Sequence, residues 1–303
     1  MINASHNRYF PGGVTVNPLE HFNQEPVVKL HEAVSAQELG IGAYEGKHIR
    51  VNSSTMEHLQ LAQETLRKTK MMMPYGAGNQ KVEMVYTGGE SSARVKMHRE
   101  TTEKAAAIPN ALMAARYQAG NCNEMADVSY TLLAQKQINA PVLLLNDNDW
   151  DHIYVLIGDP RDQTWGEKNT VVVDPWVRYP AATTLDQSIK RNPSSTIQYQ
   201  RAPNAAPLPI AQELNSINHI STAEVDQFLT ARQYPQIGAN LLQRFYQPII
   251  VARMSDEKIV AKDPSTRYSS DNVNARTMDD IAQSTVSHQL AAQQVWNNLP
   301  NRW

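Results

Sequence analysis

The chain has 303 residues, of which 41% are hydrophobic and 19% are charged, so it is long and apolar enough to bury a sizeable core. Its 28 Lys and Arg residues nearly balance 30 Asp and Glu residues, and the net charge of -2 gives no general electrostatic reason to bind nucleic acid or an anionic membrane. The contents of 17 Pro and 13 Gly exclude collagen and wholesale disorder.

No apolar run reaches the roughly 18 residues that a membrane-spanning helix needs, so the sequence predicts a soluble protein without a membrane span. The N-terminal residues lack the basic and apolar stretches of a secretory signal peptide, which predicts that no such signal is used. The single cysteine, Cys122, cannot form an internal disulfide. A lone thiol is either a small buried hydrophobe or a nucleophile, and the remaining patterns bear on that choice.

The first part of the chain divides into two predicted regions. Residues 1–50 carry several Pro and Gly residues with little periodicity, which predicts an irregular arm with one short helix near residues 30–39. Residues 51–118 are predicted to be a helical region, in which a capping-box signature at Ser54 precedes a helix that runs to about Lys70.

Two further elements are expected inside this helical region. The alternating apolar residues at 81–87 are typical of a short strand. Residues 100–118 have a helical pattern, which we expect to be interrupted near Pro109 because proline lacks a backbone N–H.

Residues 119–180 are the most strongly patterned part of the chain, and we assign them to a catalytic core. A helix is predicted to begin near Asn121 and to end at about residue 136. Three short apolar runs follow it, and each is bounded by turn-forming residues. These predicted strands cover residues 141–145, 152–158 and 170–174.

Residues 181–303 are predicted to be mainly helical and to complete the fold. A second capping-box signature begins at Ser221, and apolar stripes predict helices at residues 237–246 and 278–299. A hairpin is expected from residues 249–253 and 258–262. Helices and short strands together predict an α+β fold.

Three side chains in the core are expected to meet. If the strands at 152–158 and 170–174 pair antiparallel with His152 opposite Asp174, both side chains point to the same face of the sheet. A carboxylate next to an imidazole fixes the orientation of a general base. Cys122 lies in the first turn of the preceding helix, where free N–H groups favour a thiolate. The sequence therefore predicts a triad of Cys122, His152 and Asp174.

The residues from 120 to 176 resemble the core of the transglutaminase-like, papain-like cysteine enzyme superfamily. In that family a G-x-C-x-x-x-A segment opens the active-site helix, and the chain reads GNCNEMA around Cys122. The segment DHIYV around His152 resembles the family's histidine strand, and TVVVDPW around Asp174 resembles its strand that ends in Asp-Pro. The family often has Trp where this chain has Tyr154, and its calcium sites have no counterpart here.

This resemblance implies a papain-like fold, with the active-site helix packed on a small antiparallel sheet and with additional helices. It also implies that Cys122 is the nucleophile, His152 the base and Asp174 the carboxylate that orients the base. No cofactor and no metal are predicted, because the histidines show no metal-ligand spacing with cysteines or carboxylates.

The compact spacing and the helical C-terminal extension resemble the HopX/AvrPphE family of type III effectors from plant-pathogenic bacteria. That resemblance implies an enzyme that acts on a host protein. It also implies a bacterial cytoplasmic location before export and delivery into the host cell by a secretion system that reads no signal peptide.

Further residues are candidates for parts of the site. The side-chain amides of Gln118 and Asn121 are candidate donors to an oxyanion, together with the backbone N–H of Cys122. Trp150, Tyr154 and Trp176 cluster around the histidine and the aspartate in sequence; they either pack the edge of the sheet or line a cleft for the substrate.

These features predict a cysteine-dependent acyl-transfer enzyme that acts on protein amides. The sequence does not separate glutamine deamidation, transglutamination and thiol proteolysis, since all three use the same nucleophile and base. One alternative is a catalytically inactive protein-binding module that retains the fold. Another is a small-molecule acyltransferase, which would need a pocket for an acyl donor.

Overall fold

The computed structural model describes residues 8–9, 15–16, 27–102, 106–189, 194–245, 255–270 and 284–286. The protein is α+β. The helices are α1 (Leu30–Ala33), α2 (Ala36–Leu39), α3 (Ser53–Met72), α4 (Lys81–Tyr86), α5 (Glu90–Thr101), α6 (Ala107–Tyr117), α7 (Cys122–Ala134), α8 (Gly166–Asn169), α9 (Ala211–Asn215), α10 (Thr222–Ala231) and α11 (Ala239–Phe245). The strands are β1 (Arg8–Tyr9), β2 (Thr15–Val16), β3 (Val27–Lys29), β4 (His48–Val51), β5 (Val142–Asp147), β6 (His152–Ile157), β7 (Val171–Val173), β8 (Thr183–Thr184), β9 (Thr196–Arg201), β10 (Arg267–Ser270) and β11 (Ser284–Val286).

The central sheet has five antiparallel strands in the order β8-β7-β6-β5-β9. Strands β5 and β6 form a hairpin in which Asp147 lies opposite His152. The strands β5, β6 and β7 are buried on both faces, which explains why their sequences are continuous apolar runs rather than alternating ones. The three strands predicted in the core are therefore confirmed.

The sheet carries a hydrophobic cluster on each face, because neighbouring side chains along a strand point in opposite directions. Helix α3 packs against β7, and α7 packs against α6, β5 and β6. One cluster includes Leu59, Ala126, Leu144, Val155 and Val173. The other includes Met125, Val128, Leu143, Tyr154 and Leu156. The helix predicted to begin near Asn121 is α7. It contributes apolar side chains to both clusters, and these side chains hold it against the sheet.

Helix α3 confirms the helix predicted to run to about Lys70, although it begins two residues earlier than a capping box at Ser54 indicates. Asn52 is the residue that caps it, and its side chain accepts a hydrogen bond from the Thr55 backbone N–H at 2.7 Å. Helix α6 contains Pro109 as its third residue, where a backbone N–H has no intrahelical acceptor. Proline is therefore tolerated there, and the interruption lies before α6.

The strand predicted at residues 81–87 is wrong, because α4 occupies this segment. A segment of six residues is too short for its apolar pattern to separate a strand from a helix, so tertiary contacts decide. The Glu83 carboxylate accepts a hydrogen bond from the Ala77 backbone N–H at 2.6 Å and pairs with Lys70 Nζ at 2.9 Å. These contacts tie α4 to the end of α3 and the loop that follows it.

A third hydrophobic cluster joins α4, α5, α10 and α11 away from the sheet. The capping box predicted at Ser221 is confirmed at the start of α10, where Glu224 Oε2 accepts from the Ser221 backbone N–H at 2.8 Å. Helix α11 confirms the predicted stripe at residues 237–246. Among the described helices, none is long and apolar enough to cross a membrane.

The predictions for the C-terminal residues are corrected in part. The expected helix at residues 278–299 contains β11, which pairs antiparallel with β3, and its other residues lie outside the described part. Residues 249–253 of the expected hairpin also lie outside it. The described residues 258–262 form no strand of their own; the carbonyl of Val260 instead accepts from the Ile189 backbone N–H.

Candidate active site

Cys122 is the first residue of α7, and Asn121 precedes the first turn. The Glu124 carboxylate accepts a hydrogen bond from the Asn121 backbone N–H at 2.7 Å. In the reciprocal contact the Glu124 backbone N–H approaches the Asn121 side chain, but not within the geometry of an ordinary hydrogen bond. Asn121 Oδ1 therefore accepts no hydrogen bond of ordinary geometry from the described residues. The half-buried Cys122 side chain thus lies where free N–H groups and the helix dipole favour negative charge.

Gly120 has a steric reason in the G-x-C segment. A Cβ atom at this position would lie 2.5 Å from Glu124 Cβ and 2.5 Å from Met73 Cε. The Gly120 backbone N–H also donates to the Gly76 carbonyl at 3.2 Å. The absence of a side chain therefore lets the loop before Cys122 pack closely on both α7 and the end of α3.

His152 and Asp174 meet as the sequence predicts. His152 begins β6, Asp174 directly follows β7, and His152 Nε2 lies 2.7 Å from Asp174 Oδ2. Both residues are buried, with 2% and 0% exposure. The second oxygen, Asp174 Oδ1, accepts a hydrogen bond from the Trp176 backbone N–H at 3.2 Å, which holds the carboxylate toward the imidazole.

The predicted register of this strand pair is wrong by two residues. Val155 pairs with Val173 and Ile157 with Val171, so the position opposite Asp174 is that of Tyr154 rather than His152. A shift of two residues keeps every side chain on the same face, because the side-chain period of a strand is two. His152 and Asp174 are therefore diagonal neighbours on one face, and the long imidazole spans the offset.

The electrostatic surroundings of His152 favour its protonated form. Burial lowers the pKa of the imidazole, but the charge and the hydrogen bond of Asp174, with Cys122 in addition, raise that pKa to about 9. His152 Nδ1 is buried and makes no hydrogen bond of ordinary geometry to the described residues. Because Nε2 is occupied by Asp174, Nδ1 is the nitrogen left for the thiol. The arrangement can thus hold an imidazolium between a carboxylate and a thiolate.

Two aromatic rings cover the histidine. The Trp176 ring centroid lies 4.9 Å from that of His152, and the Tyr154 ring stacks on it at 5.8 Å with an interplanar angle of 18°. Trp176 Nε1 donates to Asn79 Oδ1 at 2.9 Å, which fixes the indole. Tyr154 and Trp176 are both buried against the imidazole, so they shield the His152–Asp174 hydrogen bond from water.

The other candidates differ in their positions. Trp150 lies in the turn before His152 and is 57% exposed, the highest exposure among the three candidate aromatic residues. Gln118 ends α6 with a positive φ of 58°, and its carbonyl accepts from the Tyr75 backbone N–H. Gln118 and Asn121 both lie shortly before α7. The contacts of the described residues identify neither side-chain amide as a donor to an oxyanion.

Sequence reasoning missed two residues near the site, Asn79 and Arg99. Arg99 lies in the last turn of α5, and its guanidinium forms a two-point ion pair with Glu124, at 2.8 and 3.0 Å. The spacing of Asn121 and Glu124 is a capping-box signature that could have indicated a specific role for Glu124. No local pattern indicates Arg99 or Asn79, because both approach the site from other parts of the chain.

A cavity of about 160 Å³ opens on the sheet face that carries Tyr154. Its lining is mostly apolar, but it includes none of the three triad residues: Leu143, Leu145, Tyr154, Leu156, Asp159, Pro160, Arg161, Glu167, Leu185, Ser195 and Ile197. It therefore offers no acyl-donor pocket at the thiol. Within the described residues no cluster of three His, Cys, Asp or Glu side chains is arranged to hold a metal ion.

Comparisons with known proteins give no relative from which a role could be transferred. No protein-family model, no curated protein and no solved structure matches the chain. The chemistry of the site therefore has to be argued from the chain's own residues.

Proposed function

We propose that the chain is a cysteine-dependent acyl-transfer enzyme with a papain-like, transglutaminase-type core. The observation that supports it most is the 2.7 Å contact between His152 Nε2 and Asp174 Oδ2, with Cys122 interacting with the same imidazole from the start of α7. A nucleophile, a base and an orienting carboxylate from three separate elements are the parts that acyl transfer requires.

In the proposed reaction the Cys122 thiolate attacks the carbonyl carbon of a protein amide, and the carbonyl electron pair moves to oxygen. Protonated His152 then gives its Nδ1 proton to the departing nitrogen, the C–N bond breaks, and ammonia or an amine leaves. Water or a second amine attacks the remaining thioester and loses its proton to His152. The thiolate is regenerated as the C–S bond breaks.

The nature of the leaving and attacking groups distinguishes three outcomes. Attack on a glutamine side chain followed by water gives deamidation, the same attack followed by an amine gives a crosslink, and attack on a peptide bond gives proteolysis.

We place the enzyme with effectors of the HopX/AvrPphE type that act on host proteins. The supporting features are the order and spacing of Cys122, His152 and Asp174, which lie 30 and 22 positions apart in the sequence.

The test is the pH dependence of iodoacetamide alkylation of the native protein, read by mass spectrometry. A single cysteine makes the readout specific. We expect fast alkylation below pH 7 in the wild type and loss of this reactivity in His152→Ala and Asp174→Ala. If the wild-type thiol reacts only above about pH 8.5, like a free cysteine, or only after denaturation, the chain is a protein-binding module without turnover.

A further inference from the structure

The start of α7 contains a charge that opposes the proposed nucleophile. Glu124 is 3% exposed and lies two residues after Cys122 in the same helical turn. Burial raises the pKa of its carboxyl group, but the hydrogen bonds and charges of Arg99, together with the Asn121 N–H and His98, lower that pKa below its usual range. An ionised carboxylate in the same helical turn as a thiol disfavours the thiolate, because like charges repel in a poorly solvated site.

Arg99 is the group that offsets this charge. Its Nε and Nη2 atoms each contact one Glu124 oxygen, and Glu124 Oε2 also accepts from the Asn121 N–H, so one carboxylate joins α5 to the loop before Cys122. The Arg99 side chain is 51% exposed, which leaves part of the guanidinium beside the site rather than inside the core. Burial lowers the pKa of the guanidinium, but its hydrogen bond and charge interaction with Glu124, and to a smaller extent the charge of Cys122, raise that pKa above its usual value.

The other titratable groups around this turn do not replace Arg99. His152 and Asp174 approach from the sheet and already form a pair. Asp127, one turn further along α7, is buried, and that burial raises the pKa of its carboxyl group to about 7. His98 stacks on Tyr117, and burial lowers the pKa of its imidazole, which disfavours a positive charge there. Arg99 is thus the guanidinium that pairs with the carboxylate of this turn.

We propose that Arg99 is a positioning residue for Cys122: its guanidinium neutralises the Glu124 carboxylate that holds the start of α7 and so keeps this helix terminus favourable to a thiolate. The inference rests on the proposed function, in which a Cys122 thiolate is the nucleophile. In this proposal Arg99 favours the Cys122 thiolate, whereas the Glu124 carboxylate opposes it. If the ion pair had only a structural role, loss of either residue would have the same effect on the thiol.

The test compares the midpoint of the pH–rate profile for Cys122 alkylation in Arg99→Gln, Glu124→Gln and Arg99→Lys. Arg99→Gln should raise the midpoint by about one pH unit, because the carboxylate is left unneutralised. Glu124→Gln should not raise it, and Arg99→Lys should return it toward the wild-type value. Arg232→Gln is the matched control, because Arg232 pairs with Glu100, the neighbour of Arg99 on α5. This variant should leave the midpoint unchanged.

Thermal melting of each variant shows that it is folded. The inference is overturned if Arg99→Gln leaves the midpoint in place, or if Arg99→Gln and Glu124→Gln both raise it, which would indicate a shared structural loss. If Arg99→Gln does not fold, a raised midpoint in Glu124→Gln overturns the inference by itself. A wild-type thiol that is unreactive below pH 7 contradicts the proposed function, whereas a reactive wild type with unshifted variants contradicts only the role of Arg99.

Discussion

The Arg94–Glu90 pair and the His152–Asp174 pair are both buried, but only the second contains a polar atom that lacks a hydrogen-bond partner of ordinary geometry among the described residues. Arg94 Nε and Nη2 both donate to Glu90 Oε1, at 2.9 and 2.8 Å. Arg94 Nη1 donates to two backbone carbonyls, and the Thr222 hydroxyl donates to the same Glu90 oxygen. This cluster joins α5 to α10 and uses its polar atoms within the fold.

In the His152–Asp174 pair, the ring nitrogen Nδ1 of His152 makes no hydrogen bond of ordinary geometry within the described residues. Asp174 occupies one nitrogen of the ring, and the other nitrogen is left for Cys122. Buried polar groups that are fully hydrogen-bonded contribute to a unique packing, whereas a buried group with spare capacity is costly unless it has a chemical use. The first pair therefore uses its polar atoms within the fold, whereas the second leaves a ring nitrogen for a neighbouring thiol, as the proposed reaction requires.

The largest expected effect comes from breaking the structural pair. Arg94→Met removes the guanidinium that pairs with the fully buried Glu90 carboxylate, and breaking a buried ion pair in this way costs about 3–5 kcal/mol of unfolding free energy. Urea denaturation measures it. The exposed Arg161, which pairs with Asp159, provides the control: Arg161→Met should cost less than about 1 kcal/mol. Equal losses in the two variants would contradict the structural role of Arg94.

The second prediction is the pH dependence of stability conferred by His152. The pKa of its imidazole is raised from 6.5 to about 9 in the folded protein. A group with a raised pKa stabilises the fold fully below its unfolded value, and the contribution is lost as pH rises through the folded value. The difference in unfolding free energy between wild type and His152→Gln should therefore fall by up to about 3 kcal/mol from pH 6.5 to pH 9. A difference that is constant over this range would show that the pair carries no such charge.

The third prediction tests whether the His152–Asp174 pair controls the reactivity of Cys122. Asp174→Asn keeps the size of the side chain but removes the charge that favours the imidazolium, so alkylation of Cys122 at pH 6 should slow by at least about ten-fold. The control is Asp263→Asn, which alters another buried aspartate that accepts backbone hydrogen bonds elsewhere in the fold. The expected rate for that variant is the wild-type rate. Similar slowing in both would point to a general loosening of the structure.

The smallest effect is expected at Trp150, which belongs to neither pair. Because its ring is 57% exposed, Trp150→Ala should change the free energy of unfolding by less than about 0.5 kcal/mol and leave the alkylation profile as in the wild type. Denaturation and the iodoacetamide assay check both values. A shifted profile would mean that the turn before β6 controls His152, which the contacts of the buried rings do not indicate.

Much of the site could be predicted from local sequence. Helix α7 and strands β5, β6 and β7 have long or continuous apolar patterns with clear turn residues between them, and these signals need no knowledge of distant residues. The meeting of His152 and Asp174 followed from side-chain alternation along paired strands, and it survived an error of two residues in register because that error preserves the face.

The rest depended on contacts between segments far apart in the chain. The order of the core elements and the place of Cys122 at a helix start followed from local sequence patterns, since periodicity and capping act over a few residues. Only the tertiary structure decided that residues 81–86 are helical, that Ser284–Val286 pairs with Val27–Lys29, and that Arg99 reaches Glu124. Short segments have no decisive pattern of their own, and a long side chain can meet any carboxylate that the fold brings within reach.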